Sequence, residues 1–204
     1  MKLIFARHGE SEANLLHIFS NRDLPHPLTT LGSEQAHRLT DRLRSEPISR
    51  LFTSPVPRAR QTAEILSTSL GVSPTVTAAL REYDVGVFEG TSDPEGWKVY
   101  GEILTDWVDR QLWDRGFDVG ESFNDMRRRF LHFMRVLVTQ YQAARDTILL
   151  VTHGRLLRCM LPLVLTNIDF SFTMRNGIPN TAIIQAEQAD RKLICTDGCG
   201  MKMS

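Results

Sequence analysis

The first apolar run of the chain, LIFA, stops abruptly in Arg7, His8, Gly9 and Glu10, and KLIFA reads as a short buried strand. After Thr29 and Thr30 the apolar positions Leu31, Ala36, Leu39 and Leu43 recur at helical spacing, with either threonine placed to cap the helix. ISRLFTSP predicts a second strand, halted by Pro55 and Pro57. Ala59, Ala63, Leu66 and Leu70 then form one face of a helix that ends at Gly71. PTVTAAL predicts a third strand.

Trp97, Tyr100, Leu104, Trp107 and Leu112 suggest a further helix, weakened by Gly96 and Gly101. A stronger one starts at a capping box of Ser122 and Asp125 and carries Met126, Phe130, Phe133, Leu137 and Tyr141 as its buried stripe. DTILLVTHG is a continuous apolar run, the pattern of a central strand covered on both faces. A helix follows from Arg155, disturbed at Pro162, and TAIIQAE and KLICT predict two last strands. Strands alternating with helices predict a three-layer α/β sandwich: a mostly parallel central sheet with helices on both faces. Residues 1–204 then form a single domain, with a helical excursion at about 91–119. In such sheets ligands bind at the carboxyl ends of strands.

Composition narrows the partners. Lys and Arg number 24 and Asp and Glu number 24, so no global field recruits nucleic acid or a membrane surface. An anion site must be built locally. Of the three cysteines, Cys159, Cys195 and Cys199, the last two are separated by TDG, with no further ligands nearby to complete a metal site. LIFA is too short for a signal-peptide core, and no apolar run approaches the roughly 18 residues of a membrane span. The expected compartment is the cytoplasm.

Two strands end in a His-Gly pair, IFARHG and LLVTHG. If they are parallel neighbours, His8 and His153 project at one edge of the sheet. A third strand leads to Arg58 and Arg60 at a helix start, and LREYDVGVFEG supplies Arg81, Glu82 and Glu89 after another. Histidines, arginines and a carboxylate beyond strand ends describe an anion pocket with acid–base capacity. Arginine binds phosphate oxygens as a fork and stays charged. A neutral imidazole held in one tautomer is a nucleophile toward phosphorus. A glutamate serves as proton donor, then acceptor. That chemistry needs no metal and no cofactor.

RHGESEAN at 7–14, TSPVPRARQTA at 53–63, REYDVGVFEG at 81–90 and VTHG at 151–154 together resemble the histidine phosphatase superfamily, also called phosphoglycerate mutase-like. LTTLGSEQA at 28–36 and GES at 120–122 extend the resemblance. It implies His8 as the phosphorylated nucleophile, Glu82 as general acid and base, and Arg7, Arg58 and His153 around the phosphoryl group. Asn14, Ser20, Asn21 and Gly154 are implied as further substrate contacts. Read singly, each has a plainer alternative: His8 a solvated strand end, His153 a satisfied core histidine. Arg60 and Glu89 rival Arg58 and Glu82.

The expected activity is metal-independent hydrolysis of a small phosphate ester; a phosphoglycerate-type mutase is the alternative, and a non-catalytic phospho-ligand module a third. Family mutases resemble this chain less in one respect, because only 37 residues lie between Glu82 and Gly120. Lys98, Arg110 and Arg115 are candidates for reading a second anionic group. Part of the aromatic stripe from Trp97 to Trp113 is a candidate cover for the pocket. The run Arg127–Arg129 reads as a solvated helix face, and the oligomeric state, a homodimer included, is left open.

Overall fold

The computed structural model describes residues 1–22, 24–141, 146–190 and 192–198. The chain runs β1 (Lys2–Arg7), α1 (Glu12–Leu15), α2 (Thr30–Leu43), β2 (Ile48–Thr53), α3 (Pro57–Leu70), β3 (Pro74–Val76), α4 (Pro94–Val108) and α5 (Phe123–Tyr141). It continues through β4 (Thr147–Thr152), α6 (Gly154–Val164), α7 (Phe170–Arg175), β5 (Ile183–Ala189) and β6 (Lys192–Gly198). One six-stranded sheet has the order β3-β2-β4-β1-β5-β6. The first four of these strands are parallel; β5 runs antiparallel to β1 and pairs with β6 as a hairpin.

Side-chain alternation explains the three layers. Leu3 and Phe5 of β1 and Ile148 and Leu150 of β4 pack toward α4, α5 and α6. Ile4, Ala6, Leu149 and Val151 point to the other face, against Leu39 and Leu43 of α2 and Ala59, Ala63 and Leu66 of α3. β4 is buried at every position, as its unbroken apolar run requires. Each of its buried leucines contributes about 2 kcal/mol to the fold.

The helix boundaries follow local chemistry. Thr29 Oγ1 accepts from the amide of Gly32 at 2.9 Å, so the second of the two adjacent threonines lies inside α2 and the first caps it. Gly71 closes α3 with a left-handed φ of 68°. Ser122 and Asp125 form the expected reciprocal bonds at the start of α5. The buried stripe of α5 takes Met134, while Phe133 and Tyr141 are only partly covered.

Pro162 lies inside the last turns of α6 without ending the helix. Its missing N–H frees the carbonyl of Arg158, and the Thr173 hydroxyl of α7 donates to that oxygen at 2.8 Å. The proline thus creates the acceptor that docks α7. Of the cysteines, Cys159 and Cys195 are buried, and Cys199 lies outside the described residues.

Gly9 and Gly32 mark a close backbone crossing. A Cβ on Gly9 would stand 2.4 Å from the Gly32 carbonyl oxygen, and one on Gly32 would stand 1.9 Å from the oxygen of Glu10. Neither tolerates a side chain, which explains a glycine in both RHG and LTTLG.

Candidate active site

Register brings the candidate residues together. Arg7 pairs with Thr152, and Thr53 and Ala6 both pair with Val151, so β2, β4 and β1 end level. The next residues are Ser54, His153 and His8, one from each strand. The His8 amide donates to the Thr152 carbonyl at 3.0 Å and the Ser54 amide to that of Val151 at 3.1 Å. The two imidazoles meet edge to face with ring centroids 5.1 Å apart.

His8 is buried, with its Nδ1 2.6 Å from the carbonyl oxygen of Gly9. That oxygen can only accept, so Nδ1 carries the hydrogen and Nε2 keeps its lone pair. Arg58 Nε donates to that Nε2 at 3.0 Å. Burial first, and then the cations Arg58 and Arg7, hold the His8 imidazole well below its ordinary pKa, so it is neutral at neutral pH.

Arg58 stands at the start of α3, placed there by Pro57 in the first turn. Its fork also donates to the Ser20 carbonyl and reaches His153 Nδ1 at 3.2 Å and Asn21 Oδ1 at 3.5 Å. Burial lowers this guanidinium to about 10, which leaves it charged at neutral pH. His153 is the more deeply placed of the two histidines: its Nε2 lies 2.7 Å from Ser54 Oγ, and its Nδ1 faces Arg58. Burial and Arg58 depress it as well.

Arg7 donates to the Ile178 carbonyl at 2.7 Å, while its Nε is buried without a partner among the described residues. Gly154 lies against it; a Cβ there would stand 3.1 Å from Arg7 Nε. Asn14 Oδ1 accepts from the Ser11 amide at 3.1 Å, which leaves the side-chain NH2 as the donor of that residue. The Ser20 hydroxyl is taken up by His26 at 2.9 Å, so Ser20 meets Arg58 through its backbone.

Glu82 enters from the segment after β3. Thr152 Oγ1 donates to the Leu80 carbonyl, and Arg129 donates to the carbonyls of Ala79 and Glu82 while ion-paired to Glu121 at 2.7 Å. Arg127 and Arg128 are solvated as expected, but Arg129 is half-buried and clamps this segment. The carboxylate of Glu82 accepts from the amides of Arg155 at 2.9 Å and Leu156 at 2.8 Å, the free N–H groups of the α6 amino end. Burial raises its pKa and those amide bonds oppose the rise; burial prevails. Glu89 is occupied structurally instead, accepting from Asn21 and Val85 amides. Arg60 is exposed, 3.7 Å from Glu64.

Arg7, His8, Asn14, Ser20, Asn21, Arg58, Glu82 and Gly154 line one cleft of about 420 Å³. His153 lies beneath it, in contact with Arg58. The aromatic stripe divides: Trp97 and Tyr100 line the cleft, Trp107 is fully buried core, and Trp113 packs on Phe123 and Phe170. Leu112 falls beyond the end of α4. Lys98, Arg110 and Arg115 are not among the lining residues; they pair with Glu95, Asp106 and, for Arg115, also Glu102. The cations found there instead are Arg155 and Arg158 of α6. Their spacing of three along a helix that starts at the site was the available signal.

Among the described residues no cluster of three or more His, Cys, Asp or Glu side chains is placed to hold a metal ion, and no helix is long and apolar enough to cross a membrane. The cleft offers one neutral imidazole with a free lone pair, forked cations around it, and one buried carboxyl whose pKa is raised. That set can accept a phosphoryl group and move a proton.

Comparison with known proteins agrees with the geometry. The probable phosphoglycerate mutase GpmB of Citrobacter koseri is 30% identical over 171 residues, spanning 81% of this chain and 75% of that protein. The alpha-ribazole phosphatase from Shigella flexneri superposes with a TM-score of 0.81 at 21% identity, covering 100% of this chain and 98% of that one. A mycobacterial glucosyl-3-phosphoglycerate phosphatase gives 0.77 at 22% identity, covering 98% and 99%. Residues 3–196 match the family model of the histidine phosphatase superfamily, branch 1, and the chain belongs to that family.

Proposed function

We propose that the protein is a metal-independent phosphomonoester hydrolase that works through a phosphohistidine at His8. The observation that carries this reading is the orientation of His8: Nδ1 fixed on the Gly9 carbonyl, Nε2 unprotonated and beside Arg58.

In the first step His8 Nε2 attacks phosphorus and the bond from phosphorus to the ester oxygen breaks. Arg7 and Arg58 stabilise the charge on the three equatorial oxygens, with His153 behind Arg58. Glu82, whose pKa is raised by burial, gives its proton to the departing alkoxide. In the second step water attacks phosphorus, Glu82 takes a proton from that water, and the P–N bond breaks to release phosphate and neutral His8.

A mutase reading has one specific support, the name borne by the relatives at 30% identity. It shares the first step and differs in the acceptor, a substrate hydroxyl in place of water. A panel of phosphate esters assayed with EDTA separates the two. Release of inorganic phosphate with EDTA present, absent in His8→Ala, supports the hydrolase. Interconversion of 2- and 3-phosphoglycerate without phosphate release supports the mutase, and silence in both assays overturns each.

A further inference from the structure

Arg7, Arg58, Arg155 and Arg158 all line one cleft, in which Glu82 is the one acidic lining residue among the described residues. Both Glu82 oxygens accept from backbone amides of α6. Among the described residues none of the four arginines forms an ion pair.

One phosphoryl group does not balance this charge. A phosphomonoester dianion offsets two cations, and Arg58 and Arg7 are the two beside His8. Arg155 and Arg158 then remain half-buried and, among the described residues, without an ion-pair partner, an arrangement that a further anion would favour.

These two side chains are also held in place. Being three residues apart on α6, they project from one helix face. Arg155 Nε donates to the Tyr100 hydroxyl at 2.9 Å, and its guanidinium carbon lies 5.3 Å from the Tyr100 ring centroid. Arg158 Nε donates to the Thr173 carbonyl at 2.9 Å, and a second N–H goes to Met174. Thr173 is the residue that docks on the carbonyl freed by Pro162. Each guanidinium is therefore anchored by protein oxygens and keeps terminal N–H groups with no acceptor among the described residues. Burial, and then the neighbouring charge of Arg155, lower the pKa of Arg158.

We propose that the substrate bears a second acidic group, a carboxylate or a further phosphate, and that Arg155 and Arg158 receive it. The inference rests on the hydrolase reading only for which end of the ligand reacts; recognition of the second group is a matter of binding. Ile18, Trp97 and Ile178 supply apolar lining suited to a short carbon body between the two anions.

The test uses three esters matched in chain length: propyl phosphate, 3-phosphonooxypropanoate and propane-1,3-diyl bisphosphate. Hydrolysis is measured on the full wild-type chain, and affinity by calorimetry on His8→Ala. A charge-assisted bond predicts that one or both acid-bearing esters exceed propyl phosphate by about ten- to a hundredfold in kcat/KM and in affinity. Which of the two wins separates carboxylate from phosphate. In Arg155→Met and Arg158→Met the ratio falls toward one, and Arg155→Lys restores part of it. Because Arg158 also anchors α7, the ratio within each variant, not the absolute rate, is the readout. Hydrolysis of all three esters at similar kcat/KM overturns this inference and leaves the hydrolase reading standing. Preferential binding without turnover upholds the second-anion site and overturns the hydrolase. Equal binding in His8→Ala with no turnover in wild type overturns both.

Discussion

Arg58 Nε lies 3.0 Å from His8 Nε2, donating to the lone pair that the Gly9 carbonyl leaves on that nitrogen. The contact gives Arg58 two consequences for one residue: it aligns the ring, and its charge adds to burial in keeping the ring neutral. Lysine has the charge but not the fork that also spans Ser20 and His153. Arg58→Lys is therefore expected to lower kcat/KM on p-nitrophenyl phosphate by about a hundredfold. A variant within threefold of wild type would remove Arg58 from the proposed clamp.

Glu82 receives two amide N–H groups from α6, one on each oxygen. Glutamine offers only one acceptor oxygen, so Glu82→Gln is expected to lose about 1–2 kcal/mol of stability as an amide NH2 meets a backbone donor. The same change removes the proposed proton donor. Its effect on kcat should grow with the pKa of the leaving alcohol, from small for p-nitrophenyl phosphate to large for an alkyl phosphate. A loss of equal size across leaving groups would contradict the acid role.

Ser54 Oγ stands 2.7 Å from His153 Nε2. Ser54→Ala leaves that nitrogen without its buried partner and frees the ring to turn from Arg58. A fall in kcat of about tenfold is expected, with a thermal midpoint lowered by a few degrees. Unchanged steady-state kinetics would show that the tautomer of His153 is immaterial.

Both buried histidines are depressed from 6.5, by burial first and Arg58 next. Their folded pKa values lie below the unfolded ones, so the stability they contribute is present above about pH 6.5 and is lost as pH falls toward the folded values. Each adds up to about 1.4 kcal/mol per pH unit within that window. Glu82 works oppositely: its raised pKa gives stability present below its unfolded value and lost as pH rises through the folded one. Two imidazoles outweigh one carboxyl, so urea denaturation between about pH 7.5 and pH 5 should show stability falling on acidification. The decline should be shallower in His153→Gln, and an unaltered slope there would contradict the assignment.

Gly32→Ala tests the backbone crossing beneath the site. The added Cβ would meet the Glu10 oxygen at 1.9 Å, so β1's exit and α2's first turn must separate. A destabilisation of about 3 kcal/mol or more by chemical denaturation is expected, with loss of activity through His8. A near-neutral variant would mean the two segments part readily.

The layers of the fold and the ends of its strands were legible because two-residue and helical periods are local properties of the chain. His8 and His153 stood out because each follows an apolar strand directly. Less legible were features that depend on how helices turn against the sheet. The stripe from Trp97 to Trp113 reads as one face, yet α4 stops at Val108, and rotation of that helix sends Trp97 to the cleft and Trp107 to the core. The same rotation leaves Lys98 and Arg110 outside the cleft, paired with other acids. Short α1 and α7 carry too few turns to show a period. Arg129 looked solvated within an RRR run, because nothing local shows that the third arginine reaches back to Ala79 and Glu82.

The most direct test is rapid acid-free quenching of the enzyme with a ³²P-labelled phosphate ester, followed by site mapping. The account predicts label that is stable to base, labile to acid and located on His8, with none in His8→Ala. Turnover by wild-type protein with no protein-bound phosphate, or label retained in His8→Ala, would contradict it.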